Sequence, residues 1–327
     1  MHIQVTFKQF KKWYCGLKRF LRKGNKDEAQ RVTDFVTCFR HEENALFGHA
    51  RAILRDRKET HLKKPENMPN KEEVAKVHAH IDKEIARLTD DYTFLTLADY
   101  LLLRDLLITQ ITIFNARRGG EPARLMMRQW EEALNDEWLM REPTDALEAQ
   151  ERQRIPGMKI AYQKGKGGHS VPVIFLEHIV KAMEKFCSED VRRNAGVNSE
   201  NPYVFPATGN SMNCADGWHA VHDIVCQVGL PAGRTKLFTA TKIRHFASTS
   251  IAQQDVPECD KKLFFQHMGH SRTTNLKSYQ APLGQKTMDR ITPLLLGIRG
   301  SGGSCTVSTC TSTSLGWKKQ CFNSCIY

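Results

Sequence analysis

The sequence predicts a mainly α-helical protein with one small β-hairpin sheet, an α+β class, and a helical N-terminal arm. Apolar residues recur at helical spacing through most of the 327 residues, as they do in amphipathic and buried helices. One stretch, residues 155–175, instead holds two short β-like runs around a Gly/Lys turn, which is a hairpin pattern. The net charge is +12, and this excess favours a polyanionic partner, either nucleic acid or an acidic membrane surface.

Three segments differ in composition. Residues 1–65 hold 16 Lys/Arg against 7 Asp/Glu and predict a basic helical arm. Residues 66–296 predict one globular domain, and residues 297–327, rich in Ser, Gly and Cys, predict a disordered tail. Residues 61–73 contain two prolines and no apolar periodicity, so they predict a linker between the arm and the domain.

The arm begins with an amphipathic helical pattern over residues 7–21. Its apolar face consists of Phe7, Phe10, Tyr14, Leu17 and Leu21. Its other faces carry the candidate DNA-binding residues Lys8, Lys11, Lys12, Lys18 and Arg19. Two interpretations are open at this point: a solvated helix with a core-facing stripe, or a helix whose polar side follows a phosphate backbone.

Helical patterns dominate the domain. Asn70 and Glu73 form a capping-box-like start for a helix whose predicted buried face is Val74, Val77, Ile81, Ile85 and Leu88. A buried helix over 94–115 and a short amphipathic helix through 125–134 follow. After the hairpin, helical patterns return at 176–192, 215–228 and 239–252.

Neither a membrane span nor a signal peptide is predicted. The most apolar stretch, Phe94–Phe114, is interrupted by Asp99, Arg104 and Asp105. Charged residues occupy the N-terminus, where a signal peptide needs an apolar region. The ten cysteines are scattered, which predicts reduced thiols in an intracellular protein.

Four separated places hold polar side chains suited to a phosphodiester. Taken singly, each has an ordinary explanation, such as a helix-end arginine near the helix dipole or a solvated turn lysine. The places are Arg118 with Glu121 in residues 115–125, Lys164 with Lys166 in the hairpin turn, Arg244 with His245 in residues 239–249, and His270 with Tyr279 in residues 268–279.

Their order and spacing resemble the catalytic domain of the tyrosine recombinase (phage integrase) family. That family has an R-x-x-E box, a hairpin lysine before a V-P strand, an H-x-x-R-H box, and L-G-H-S followed by a tyrosine. This chain reads R-G-G-E at 118–121, K-G-K-G-G-H-S-V-P at 164–172, T-K-I-R-H at 241–245 and M-G-H-S at 268–271, with Tyr279 nine residues after His270. The resemblance covers residues 70–290, and its divergent boxes are similar to those of Crypton-like eukaryotic mobile-element recombinases.

The resemblance implies a site-specific DNA recombinase or integrase, a tyrosine-type strand transferase that works through a covalent 3′-phosphotyrosine. Arginine suits a phosphate clamp because its planar fork stays charged and binds two oxygens. The implied roles are nucleophile for Tyr279, clamp for Arg118 and Arg244, general acid for Lys164 with Lys166 as the alternative, and phosphate donor or orienting group for His270.

The resemblance also implies the partners. They are double-stranded DNA, enclosed between the arm and the catalytic domain, and further copies of the chain, as a tetramer on DNA. No metal or other cofactor is implied, and for a eukaryotic host the location would be the nucleus. Because residues 1–65 are fewer than the family's complete helical arm, we expect a truncated core-binding arm.

One position departs from the family pattern. Thr241 stands where the family has the first histidine of its H-x-x-R-H box. A threonine can donate a hydrogen bond to phosphate but cannot act as a base near neutral pH. His245 follows the arginine, where it more often packs as structural support. A catalytically weakened, domesticated DNA-binding protein with the same fold therefore stays open as an alternative. A type IB topoisomerase-like enzyme is a further, less favoured alternative, because it shares the chemistry and needs only one protomer.

No metal site is predicted. His219 and His222 are three residues apart but have no evident third ligand, and the four cysteines after residue 300 are irregularly spaced.

Overall fold

The computed structural model describes residues 26–90, 94–139, 157–165 and 168–298. The chain there is mainly helical, and its two strands, β1 (Lys159–Lys164) and β2 (Ser170–Phe175), form an antiparallel sheet. The predicted fold class is therefore confirmed. The longer helices are α1 (Lys26–Lys63), α2 (Lys71–Thr89), α3 (Leu97–Phe114), α4 (Met127–Leu134), α5 (Glu177–Cys187), α6 (Glu189–Asn194), α7 (Gly217–Gln227), α8 (Ala240–Gln253), α9 (Glu258–His267) and α10 (Gly284–Ile298).

The central element of the core is α3. Every residue from Leu103 to Ile113 is buried except the partly exposed pair Arg104 and Asp105. A helix that is apolar around its whole circumference is stable only when neighbours cover all its sides, and α3 packs against α2, α5 and α7. The residues that follow α3 are consequently anchored by the core.

The start of α2 confirms the predicted capping box. Glu73 N donates to Asn70 Oδ1 at 2.8 Å, and Asn70 N donates to Glu73 Oε2 at 2.9 Å. The predicted apolar face is buried except for the partly buried Val74. The Glu73 carboxylate also binds the guanidinium of Arg234 through two nitrogens. This pair fastens the predicted linker to the loop that precedes α8.

The hairpin has one face towards the core. Lys159 lies opposite Phe175 and Lys164 opposite Ser170, so Ala161 and Gln163 are buried while Lys164 is exposed. Phe175 packs edge-on against Trp130 of α4, with ring centroids 5.3 Å apart. Because side chains alternate between the two faces of β1, Gln163 faces the core and the loop after α3, and Lys164 faces solvent.

The helical pattern over 176–192 forms two helices rather than one. Ser188 has extended backbone angles, and its hydroxyl accepts a hydrogen bond from Val191 N at 3.4 Å. Ser188 thus ends α5 and caps α6. This break is the behaviour expected of serine, which favours helix starts over helix interiors.

Two compact units divide the chain, residues 1–282 and 283–327. The predicted domain end at 296 falls within α10 of the second unit. The structure describes α1 within the predicted arm, and α10 includes the first two residues of the predicted tail. Lys8, Lys11, Lys12, Lys18, Arg19, Lys166 and residues 299–327 lie outside the described residues. Among the described helices, none combines the length and apolarity that a bilayer span requires.

Candidate functional site

The first part of the site is the loop after α3. Arg118 Nη1 donates to Glu121 Oε1 at 3.0 Å, and Arg118 N donates to Glu121 Oε2 at 3.3 Å. The Glu121 side chain is 3% exposed and that of Arg118 is 31% exposed. A buried carboxylate therefore holds one edge of the Arg118 guanidinium and leaves its other donors accessible.

This loop lies against the start of α7. A Cβ atom on Gly217 would be 2.1 Å from the Gly119 carbonyl oxygen. Such an approach is possible only without a side chain, so Gly217 sets the position of the R-G-G-E loop. The sequence signal was a glycine directly after the helix-capping Asp216, and sequence reasoning missed it.

The hairpin is tied to the same loop by two buried amides. Gln163 Nε2 donates to the Glu121 carbonyl oxygen at 2.7 Å. The Asn115 side chain accepts from Ile174 N at 2.9 Å and donates to Ile174 O at 3.0 Å. Lys164 follows Gln163 and lies on the opposite, exposed face of β1. Sequence reasoning missed both amides.

The hairpin also contacts the M-G-H-S segment. Gly269 has φ +68°, and a Cβ atom there would lie 2.8 Å from Val171 Cγ1. Glycine therefore satisfies both the left-handed backbone and the close approach of β2. His270 is placed directly after this contact.

Arg244 is a buried arginine of the site. It lies on α8, is 1% exposed, and donates through Nη1 to Ala116 O at 2.9 Å and through Nη2 to Met268 O at 2.8 Å. Burial lowers the pKa of Arg244, and the nearby Tyr279 side chain acts in the opposite direction. Two carbonyls use two of its five N–H donors, and the Tyr279 side chain is a further hydrogen-bond partner.

Tyr279 ends a short helical turn, Asn275–Tyr279, and lies among three candidate residues. Its ring centroid is 4.8 Å from Arg244 Cζ and 4.8 Å from the centroid of the His270 ring, whose plane is tilted by only 9°. His245 Nδ1 is 2.7 Å from the Tyr279 carbonyl oxygen. Because that oxygen can only accept, Nδ1 carries the proton. His245 thus holds the tyrosine backbone, the supporting role that the sequence suggested.

Two hydroxyl groups on α8 hold the segment around Tyr279. Ser248 Oγ donates to Asn275 Oδ1 at 2.6 Å, and Thr249 Oγ1 accepts from Ala281 N at 3.0 Å. Sequence reasoning missed both residues. The available signal was position, because Ser248 comes four residues after Arg244 and therefore lies on the same helical face.

The site histidines are neutral at neutral pH. The pKa of His270 is lowered to about 4, first by burial and then by the positive charge of Arg244, with Arg118 adding to the effect. Burial and the charge of Arg117 lower the pKa of His267 to about 4. Within the described chain, neither buried ring nitrogen of His270 has a hydrogen-bond partner. One N–H of that ring is therefore available to a ligand oxygen.

Thr241 lies in the first turn of α8 and is exposed. Thr239, rather than Thr241, caps the helix by accepting a hydrogen bond from Lys242 N at 3.3 Å. The Thr241 hydroxyl stands one turn before Arg244, where the family places a histidine. As for metals, the described residues contain no group of three or more His, Cys, Asp or Glu side chains arranged to hold an ion.

The structure thus brings together four of the predicted residues, Arg118, Arg244, His270 and Tyr279, with Lys164 on the adjoining hairpin. Arg118 and Arg244 are both close enough to His270 to shift its pKa. The arrangement offers arginine and imidazole donors around a tyrosine hydroxyl. It can bind an anion next to a nucleophile.

Comparisons with known proteins gave matches among solved structures. No family model and no curated protein matches the sequence. The chain is similar to the XerH site-specific recombinase in a post-cleavage complex with a palindromic difH substrate, at 17% identity and a TM-score of 0.46, covering 70% of this chain and 52% of that one. A pre-cleavage XerH complex gives 17% identity and a TM-score of 0.44, covering 70% of this chain and 54% of that one. The XerA recombinase gives 17% identity and a TM-score of 0.40, covering 70% of this chain and 66% of that one. This chain spans about half the length of the two XerH chains.

Proposed function

We propose that this chain is a tyrosine recombinase, a site-specific strand transferase that cleaves and rejoins DNA through a 3′-phosphotyrosine on Tyr279. The observation that carries the proposal is the position of Tyr279, whose ring lies 4.8 Å from both Arg244 Cζ and the His270 ring centroid. Arg244, His270 and Tyr279 belong to motifs that are separate in the sequence. Their convergence around one hydroxyl group is what phosphodiester attack requires.

The reaction keeps the number of phosphoester bonds constant. The Tyr279 oxygen attacks phosphorus and releases its proton to water, a P–O bond to tyrosine forms, and the P–O bond to the 5′ oxygen breaks. Lys164 donates a proton to the leaving 5′ oxygen and so becomes the general acid. Rejoining is the reverse reaction, in which a 5′ hydroxyl attacks the phosphotyrosine. Because the bond energy is retained in the adduct, the cycle consumes no nucleotide triphosphate.

Arg118, Arg244 and His270 stabilise the negative charge on the phosphate in the transition state. The free donors of Arg118, together with Arg244 N–H groups that the two carbonyls do not use, bind the two non-bridging oxygens, on which negative charge builds. Glu121 and the carbonyls of Ala116 and Met268 hold these guanidiniums before DNA binds. Donors that are already oriented need no reorganisation in the transition state.

The proposal also includes the binding partners, the origin and the cellular location of the protein. Double-stranded DNA is the substrate, and a tetramer of protomers on DNA is the assembly that recombination in this family uses. A Crypton-like mobile element is the proposed origin, and the nucleus is the proposed location in a eukaryotic host. These proposals rest on the sequence resemblance and on the basic N-terminal composition of 16 Lys/Arg against 7 Asp/Glu in residues 1–65.

The test is covalent trapping. Incubation with nicked suicide duplexes, followed by a denaturing gel, should give a protein–DNA adduct, and peptide mapping should place the phosphate on Tyr279. Tyr279→Phe removes one oxygen and should abolish the adduct while duplex binding survives. Tyr162→Phe and Tyr203→Phe are the matched controls and should form adducts normally. An adduct on another residue would disprove the assignment.

One observation favours a second function. Thr241 supplies no imidazole where the family has one, so a DNA-binding protein that no longer cuts is the second candidate. For that protein the trapping experiment should give no adduct with the unaltered chain, although duplex DNA would still bind.

A further inference from the structure

Arg117, the residue before Arg118, is completely buried and has no hydrogen-bond partner among the described residues. Its side chain is 0% exposed, and no described residue accepts a hydrogen bond from Nε, Nη1 or Nη2. Arg192 shows the usual arrangement in this chain, since its guanidinium donates to the carbonyl oxygens of Asn201, Tyr203 and Val204. Buried charges without partners are strongly destabilising and are therefore rare. Packing alone does not explain Arg117.

The backbone places Arg117 within the candidate site. Its N–H donates to Thr112 O at 2.9 Å and so closes the end of α3. The carbonyl oxygen of the preceding residue, Ala116, accepts the hydrogen bond from Arg244 Nη1. The following residue is Arg118. Arg117 and Arg118 are therefore adjacent residues of this loop, and Arg244 comes from α8, which is hydrogen-bonded to the loop.

The charges around Arg117 do not balance. Burial lowers the pKa of Arg117 to about 10, the Glu121 carboxylate opposes that shift, and Arg244 and Arg118 add to it. Arg117 is thus protonated at neutral pH. Glu121 is the carboxylate of this loop, and its oxygens already accept from Arg118. Three arginines against one carboxylate leave an excess of positive charge inside the protein.

We propose that Arg117 is an electrostatic positioning residue of the phosphate site, whose charge is balanced by a phosphodiester bound to Arg118 and Arg244. The inference rests on the proposed function. Because Arg117 is buried, it does not touch DNA, and it acts through space and through the arginine loop. In the free protein the unpaired charge reduces stability. In the complex it strengthens the binding of an anion that gains charge in the transition state.

This role predicts opposite effects on stability and on activity. Arg117→Met keeps the length of the side chain and removes the charge. Apolar replacement of an unpaired buried charge should raise the melting temperature. The same change should weaken binding of inorganic phosphate, followed through the NMR signals of the His270 ring, by roughly tenfold. It should slow formation of the covalent DNA adduct by roughly the same factor, with duplex affinity nearly unchanged.

Two further variants separate charge from shape. Arg117→Lys keeps the charge and should recover most of the phosphate affinity and the cleavage rate. Arg192→Met removes a partly buried guanidinium that has carbonyl partners, so it should lower the melting temperature. Below that temperature, Arg192→Met should leave phosphate binding and the adduct rate unchanged.

The readouts distinguish this inference from the proposed function. If the unaltered chain forms no DNA adduct but binds phosphate in an Arg117-dependent manner, the strand-transfer proposal fails and the inference stands. If Arg117→Met melts at a lower temperature and binds phosphate as the unaltered chain does, Arg117 is structural and the inference is overturned. Equal losses of phosphate binding in the Lys and Met variants would also overturn it, because charge would not be the property that matters.

Discussion

The imidazole ring of His270 lies parallel to the phenol ring of Tyr279, with centroids 4.8 Å apart and planes 9° apart. A parallel contact at this distance restricts the orientation of the tyrosine ring. His270 is itself held by the Gly269–Val171 contact with the hairpin. The orientation of the proposed nucleophile therefore depends on the same hairpin that carries Lys164.

The arginine clamp gives the first prediction. Arg244→Ala or Arg118→Ala should slow adduct formation by roughly 10²-fold or more, the usual loss for one transition-state donor. Duplex affinity should change far less, as measured by equilibrium binding. Arg244→Lys should also be impaired, because one ammonium cannot reproduce the planar arginine fork. Arg124→Ala, an exposed change in the same loop, is the control. Equal losses of binding and cleavage in both clamp variants would indicate a folding or surface role.

A second prediction concerns which chain supplies the tyrosine. Tyr279 lies beside Arg244 of its own chain, so each protomer should cleave with its own nucleophile. A mixture of Tyr279→Phe and Arg244→Ala proteins should therefore form no adduct on suicide duplexes. An adduct in the mixture, absent from either protein alone, would mean that the tyrosine acts in a neighbouring protomer.

The Ser248–Asn275 hydrogen bond gives a third prediction. Asn275 is completely buried, so Ser248→Ala leaves its amide oxygen without a donor. The expected cost is about 1–3 kcal/mol of unfolding free energy, measured by urea titration, together with a slower adduct rate because the Tyr279 turn is less restrained. Ser250→Ala on the same helix is the control. A Ser248 variant with unaltered stability and cleavage would show that this contact does not hold the segment.

The fourth prediction concerns how the stability of the folded chain depends on pH. The pKa values of His245, His267 and His270 are all lowered in the folded chain, those of His267 and His270 from 6.5 to about 4. As pH falls below 6.5, the unfolded chain therefore takes up protons before the folded chain does. The contribution to stability is complete above pH 6.5 and is lost progressively down to about pH 4. Melting temperatures should fall across this window and stay level from pH 7 to 8.

His267→Gln provides the specific test of that window. The glutamine amide can still donate to the Asn115 carbonyl oxygen, which lies 3.2 Å from His267 Nε2, but it does not titrate. The variant should lose less stability between pH 6.5 and 4 than the unaltered chain. Identical curves for the two proteins would refute the assignment to His267.

The N-terminal segment gives the last prediction, which comes from composition alone. Residues 1–65 contain 16 Lys/Arg, and binding through neutralised phosphates weakens steeply with salt. Deleting these residues should weaken duplex binding and flatten its dependence on salt concentration. Unchanged affinity with the same salt slope would exclude a role for this segment in DNA binding.

Much of the fold could be predicted because its signals are local. The capping box at Asn70, the apolar circumference of α3 and the hairpin around a Gly/Lys turn each depend on residues a few positions apart. The break at Ser188 was not predicted, since the apolar spacing on its two sides is compatible with one helix. Local patterns report periodicity well and helix ends less well.

The sequence by itself determined the fold class and the basic character of residues 1–65, which follow from residue type and periodicity. The proposed catalytic residues come from the resemblance of its motifs to those of the tyrosine recombinase family. Only the tertiary structure decided that Arg244 and His270 both contact Tyr279 and that Gln163 and Asn115 bind the hairpin to the arginine loop. It also decided that Arg117 is buried without a hydrogen-bond partner in the part of the chain that the structure describes. Contacts between residues far apart in the chain depend on how the helices pack, and no spacing along the chain encodes them.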